Sequence, residues 1–176
     1  MGGGKSGKQK GEMNMPNWCE NVLRMNLTNK DLQDFIDNYV NDKKQIDFNL
    51  IIPQPSEDLE SFDWYTWRCN HWGTKWNAVD ESGWLDDEIF ECILDGRGYD
   101  LGICFDTAWS PPLPIIMKLI ELYPDSEISL DYYEPGCEFA GTYDECGDHP
   151  TEDIKRFAIE KGFCCEEDFE DEEEIM

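Results

Sequence analysis

Positive charge is scarce in this sequence. Fourteen Lys and Arg stand against 40 Asp and Glu in 176 residues, a formal charge of −26. A polyanion repels other polyanions, so bulk electrostatics exclude direct binding to nucleic acid or to an anionic membrane. No run of 18 apolar residues occurs, which excludes a transmembrane helix. The stretch Met1-Gly-Gly-Gly-Lys-Ser-Gly-Lys-Gln-Lys-Gly11 lacks the apolar segment of a secretory signal, so a cytoplasmic setting is expected. The cysteines Cys19, Cys69, Cys92, Cys104, Cys137, Cys146, Cys164 and Cys165 contain no CxxC pair, and reduced thiols are expected. A glycine-rich phosphate loop, a nucleophile elbow and an HExxH motif are all missing. No enzymatic activity and no cofactor are expected.

Aromatics make up 13 % of the chain, too many for a disordered sequence. Residues 1–14 read as a flexible Gly/Lys leader, with Met15 a candidate native start. Residues 15–145 read as the main domain, 146–165 as a C-terminal helical extension and 166–176 as an acidic tail. From Glu166 to Glu174 eight of nine residues are acids. Without both ends, 31 acids still face 11 bases, so the folded part is itself acidic.

From Trp18 to Leu27 the pattern alternates, with Leu23, Met25 and Leu27 on one face of a strand. Thr28 or Asn29 caps a helix whose apolar stripe is Leu32, Phe35, Ile36, Tyr39 and Val40. Phe90, Cys92 and Leu94 alternate, then Leu101, Ile103 and Phe105, around the turn Asp95-Gly-Arg-Gly98, a β-hairpin. Ser110-Pro-Pro opens a second helix, with Ser110 as cap and the stripe Leu113, Ile116, Met117 and Ile120, ended by Pro124. Ile128, Leu130 and Tyr132 alternate as a last strand. A third helix runs from Thr151 through Ile154, Phe157 and Ala158 to Gly162. The order predicts an α+β, ferredoxin-like βαββαβ sheet with two helices on one face and a Trp-rich insertion after the first helix.

Five stretches carry a resemblance: Met15-Pro-Asn-Trp-Cys-Glu-Asn21, Phe48-Asn-Leu-Ile-Ile-Pro-Gln-Pro55, Trp64-Tyr-Thr-Trp-Arg-Cys-Asn-His-Trp-Gly-Thr-Lys-Trp-Asn-Ala78, Phe105-Asp-Thr-Ala-Trp-Ser-Pro-Pro112 and Tyr132-Tyr-Glu-Pro-Gly-Cys-Glu-Phe-Ala-Gly141. Over about 15–145 the chain resembles the YubB-type ferredoxin-like family of bacteriophages, prophages and plasmids. The resemblance implies a mobile-element origin and a bacterial intracellular setting. It implies no activity, because the family is a domain of unknown function.

Residues 64–79 contain no acid, yet hold Arg68, His71 and Lys75 among Trp64, Tyr65, Trp67, Trp72 and Trp76. One reading is a binding patch, where a nucleotide-type ligand stacks on the rings and meets Arg68 or Lys75. The other is core, the insertion folding across the sheet face the helices leave bare. Asp106, Trp109 and Glu134 are expected beside it, the two acids pairing with Arg68 and Lys75. Asp31, Asp34 and Asp37 line one helix face and join Asp86, Asp87 and Glu88 in an acidic surface, either a solvated coat or an imitation of DNA phosphates. Cys137, Cys146 and His149 are weak metal candidates, and Cys69 with His71 a weak nucleophile pair.

The expected function is that of a non-enzymatic accessory protein that binds a host protein, in its sharpest form as a DNA mimic against host defence. The alternative is a nucleotide-binding or sequestering protein that uses the Trp-rich patch.

Overall fold

Strand β1 (Trp18–Leu27) is an interior strand of the sheet, and its sequence serves two faces. Cys19, Asn21, Leu23, Met25 and Leu27 are buried in turn, while the residues between them point to the opposite face. The computed structural model describes residues 17–55, 63–79, 99–165 and 168. Along one edge β1 pairs antiparallel with β2 (Tyr99–Ala108), from Trp18 opposite Ala108 to Leu27 opposite Tyr99. Along the other it pairs antiparallel with β3 (Glu127–Glu134). Strands β4 (Phe139–Asp144) and β5 (Gly147–Pro150) extend that side, giving the order β2-β1-β3-β4-β5.

The neighbours β2, β1 and β3 are the third, first and fourth strands of the predicted ferredoxin-like order. The other arm of the predicted hairpin, Phe90 to Leu94, lies outside the described residues, as does its turn. Strands β4 and β5 were not expected, because Phe139-Ala-Gly-Thr-Tyr-Asp144 does not alternate cleanly. Gly141 explains part of that break. A Cβ there would lie 2.5 Å from the Tyr132 hydroxyl and 2.8 Å from the His149 carbonyl oxygen, so only glycine lets the strands close.

Helix α1 (Asn29–Tyr39) starts as predicted, with the Thr28 hydroxyl oxygen accepting from the Asp31 amide at 3.2 Å. It buries Leu32 and Phe35 against the sheet. Short α2 (Phe48–Ile51) and α3 (Trp64–His71) follow, then α4 (Leu113–Leu122) between β2 and β3. Two details of α4 depart from expectation. Pro112, not Ser110, stands at the cap; the Ser110 hydroxyl instead donates to the Gly73 carbonyl at 2.6 Å. The buried stripe is Ile115, Ile116 and Leu119, which leaves Met117 exposed. Helix α5 (Ile154–Lys161) starts at Asp153, whose carboxylate accepts from the Arg156 amide. It ends at Gly162, whose φ of 82° is left-handed and suits glycine.

The main core lies between the sheet and α1, α2 and α4, and Trp72 belongs to it. Phe48 packs edge-on against both Trp72 and Phe105, at 6.1 and 5.9 Å between ring centroids. The Trp-rich segment thus enters the helix side of the sheet, contrary to the expectation that it covers the bare face. Helix α5 covers part of that face: Tyr133, Ala140 and Ala158 form a second small core with Ile154, Phe157 and Phe163.

A buried carboxylate fastens α5 down. Asp131 is 1 % exposed and points to the α5 side. It accepts from Lys161 Nζ at 2.8 Å, Arg24 Nε at 3.3 Å and the Thr142 hydroxyl at 2.6 Å. A carboxylate stripped of water is tolerable only with such donors. On the helix side Asn21 plays a comparable part, donating to the Cys19 carbonyl, the Phe105 carbonyl and the Thr107 hydroxyl. Beside it the Cys19 thiol is pushed up to about 12, chiefly by burial.

Two outcomes follow from these buried groups. Asp131→Ala strands Lys161 and Arg24 and should cost roughly 2–4 kcal/mol in urea unfolding, with faster amide exchange in α5. A cost under about 0.5 kcal/mol would show that the network does not hold the helix. For Cys19, the folded thiol keeps its proton while the unfolded thiol ionises near its ordinary 9.0. Its contribution is therefore complete below that pH and is lost as pH rises toward about 12. The stability difference between wild type and Cys19→Ala should shrink over that window; a difference independent of pH would refute the assignment.

Candidate binding surface

The acid-free segment forms α3 because Asp63 precedes it. The Asp63 carboxylate accepts from the Thr66 amide at 3.2 Å and the Thr66 hydroxyl at 2.6 Å. These bonds hold the Asp63 carboxyl below its usual range. Helical geometry then sorts the aromatics. Trp64, Arg68 and Trp72 stand four apart and share one side, and Trp67 and His71 share the next.

At its C-terminal end the helix meets the core. Trp72 is 1 % exposed, and its indole N–H donates to the Ile52 carbonyl at 2.9 Å. Asn77 then donates to the Asp47 carboxylate and accepts from the Phe48 amide, tying the segment to α2. Val79 exchanges two backbone hydrogen bonds with Asp106, which ties this segment to β2.

The other end of α3 faces water. Trp64 is 39 % exposed and Tyr65 49 %, with their rings 6.0 Å apart and nearly perpendicular. Arg68 lies between this end and the core. Its Cζ is 5.2 Å from the centre of the Trp64 ring and 4.8 Å from that of Trp72. Its Nε donates to Gln54 Oε1 at 2.8 Å. Burial lowers the Arg68 pKa, but a guanidinium stays charged in proteins.

The predicted patch is therefore divided. Trp64 and Tyr65 are outside and Trp72 is sealed in. Trp67 is half-buried and carries the His71 ring stacked on it at 4.2 Å. Trp76 packs against Trp18 at 5.9 Å, with Lys75 Nζ 4.5 Å from its ring centre. Trp109 is 44 % exposed and has a φ of 74°, uncommon for a bulky residue. Stacking a ligand among Trp67, Trp72 and Trp76 requires ring faces that Trp72 does not offer.

The expected pairing of Glu134 with Arg68 or Lys75 is not observed. Glu134 is buried and accepts from the backbone amides of Gly136 and Cys137, so it shapes its own turn. Asp106 stands opposite Glu20 across the strands. The Glu20 carboxyl is pushed up by burial and then by the Asp106 charge.

On α1 the three acids are present but engaged. Asp31 accepts from the Thr28 hydroxyl, Asp34 from the Tyr123 hydroxyl and Asn38, and Asp37 from Gln33. Asp86, Asp87 and Glu88 lie outside the described residues. The metal candidates do not converge. Cys137 precedes β4 and Cys146 follows it, and six extended residues hold them roughly 20 Å apart. His149 meets Asp144 at 3.2 Å, and among the described residues no three His, Cys, Asp or Glu gather as a metal needs. Cys69 and His71, two apart on a helix, point roughly 200° away from each other.

A groove of about 490 Å³ opens elsewhere, lined by Arg24, Asn26, Glu127, Ser129, Asp144 and Cys146 among others. Sequence reading missed it. Its lining comes from β1, β3 and the turn after β4, which only strand register brings together. No described helix is long and apolar enough to cross a membrane.

The inner and outer rings should respond differently to removal. Trp72→Ala should cost about 3–5 kcal/mol in urea unfolding, as for other buried aromatics. Trp64→Ala should cost less than about 1 kcal/mol. Equal costs would contradict the division of the patch.

Comparison with known proteins adds one relationship. A family model described as a ferredoxin-like domain in Api92-like protein matches residues 71–176, from the end of α3 through all later elements. No curated protein and no solved structure matches the chain. The match spans more than half of the sequence and agrees with the antiparallel sheet and its helices, so the chain belongs to the family of ferredoxin-like domains in Api92-like proteins.

Proposed function

We propose that this protein is a non-enzymatic binding module that docks another protein on the outer end of α3. In this reading it is an accessory protein of a phage or other mobile element, and its partner is a protein of the bacterial host. The observation that carries the reading is the exposed pair Trp64 and Tyr65 on a capped helix. Large aromatic rings left in water are costly unless a partner covers them, and Trp, Tyr and Arg dominate the energetics of protein interfaces. The sealed Trp72 weighs against the nucleotide-binding alternative.

The charge of −26 gives the partner a sign. An acidic coat speeds the approach of a basic protein and repels nucleic acid. A host DNA-binding protein fits that description. DNA mimicry in the strict sense rests on charge alone, since the α1 carboxylates are hydrogen-bonded within the protein. The aromatic end of α3 adds a contact that charge does not supply.

The test is capture of the partner from host lysate with the full chain, followed by binding kinetics of the purified pair. Trp64→Ala with Tyr65→Ala should weaken affinity at least about 30-fold, the loss of about 2 kcal/mol typical of an interface anchor. Raising salt should slow association more than it speeds dissociation. A partner bound equally well by the double variant would refute docking at α3.

A further inference from the structure

Arg68 is placed unlike the other described arginines. Arg24 pairs with Asp131 and Arg156 with Glu160. In a chain with 40 acids such pairing is the ordinary outcome. Arg68 has no acid partner among the described residues, and residues 64–79 contain none. Its Nε is occupied by Gln54, and its Cζ lies over the Trp64 and Trp72 rings, 5.2 and 4.8 Å from their centres. These three contacts hold the guanidinium in place and keep the side chain from wandering. Both Nη nitrogens, four N–H donors, have no partner among the described residues.

A guanidinium held in place with its fork unoccupied is organised in advance for a carboxylate. Two parallel N–H···O bonds match the spacing of the two carboxylate oxygens, and little side-chain freedom remains to be lost. The adjoining surface is the exposed Trp64 and Tyr65 pair, which suits an apolar side chain. The acidic coat restricts the choice further. A polyacidic segment is repelled by the rest of the molecule, whereas one carboxylate in a neutral or basic segment meets mainly the local cation.

We infer that Arg68 reads a single Asp or Glu carboxylate of the docked protein, next to an apolar side chain that lies on Trp64 and Tyr65. The inference rests on the reading of α3 as the docking surface and names the chemistry which that surface selects. Charge steers a basic partner in, and Arg68 sets its register.

The test uses the full chain, labelled with ¹⁵N, and two probes: acetyl-Leu-Glu-Phe-amide and acetyl-Leu-Gln-Phe-amide. The resonances followed are the Arg68 Nε–H and the Trp64 indole N–H. The Glu peptide should move both in a saturable way, and the Gln peptide should bind at least about tenfold more weakly, the loss of one charge-assisted hydrogen bond. Global charge favours the Gln peptide, so a preference for Glu must come from a local cation. Arg68→Lys keeps the charge, lacks the fork and should also lose about tenfold. If both peptides move Trp64 equally and Arg68 stays still, docking at α3 stands and the carboxylate reading falls. If neither resonance moves, the carboxylate reading falls, and the Trp64/Tyr65 variant with the captured partner decides the fate of the docking surface separately.

Discussion

Strand β1 is hydrogen-bonded on both edges and buries every second side chain on one face, and the rest of the structure is arranged around meeting those demands. Backbone pairing with β2 and β3 satisfies its peptide groups. Its odd-numbered residues then require an apolar layer, which α1, α2, α4 and Trp72 provide. The one polar side chain on that side, Asn21, is tolerated because backbone carbonyls and Thr107 take up its amide. Its even-numbered residues face a different environment, and Arg24 is the one that reaches a buried partner there.

That second face explains α5. A sheet with helices on one side leaves its other side open, and here one short helix covers only part of it. Three aromatic rings, two alanines and Ile154 make up the main part of this small core. Asp131 adds to it by gathering Lys161 from the helix and Arg24 and Thr142 from neighbouring strands. What α5 leaves open includes the polar groove lined by Arg24, Asn26 and Ser129. Arg24 thus serves both the tether and the groove wall.

The aromatic segment follows from geometry of another kind. An eight-residue helix with rings on several sides cannot bury all of them when only one end meets the core. Trp72, at the inner end, becomes part of the main core, and Trp64 and Tyr65 remain outside. Arg68 bridges the two environments, with Trp72 on its inner side and Trp64 on its outer side. The proposed docking surface is the half of the segment that the fold cannot absorb.

Period-two alternation placed β1 and β3 from the sequence alone, and a Thr followed by Asp three residues later placed the start of α1. Those signals are local, and local sterics and hydrogen bonds decide them. The ferredoxin-like order of β1, α1, β2, α4 and β3 was legible for the same reason, whereas β4 and β5 were not, because Gly141 interrupts the alternation that marks a strand. The register was not legible, nor the fate of the acids. Asp131, Glu134 and Asp34 look alike in a sequence rich in carboxylates, yet one fastens a helix, one shapes a turn and one holds a tyrosine hydroxyl. For Asp131 and Asp34 the donor comes from an element far away in the chain, and the split of the tryptophans between core and water likewise depends on distant segments. Local chemistry settled where β1, α1 and β3 form, and tertiary packing settled what each side chain faces, because burial and charge pairing act through space rather than along the chain.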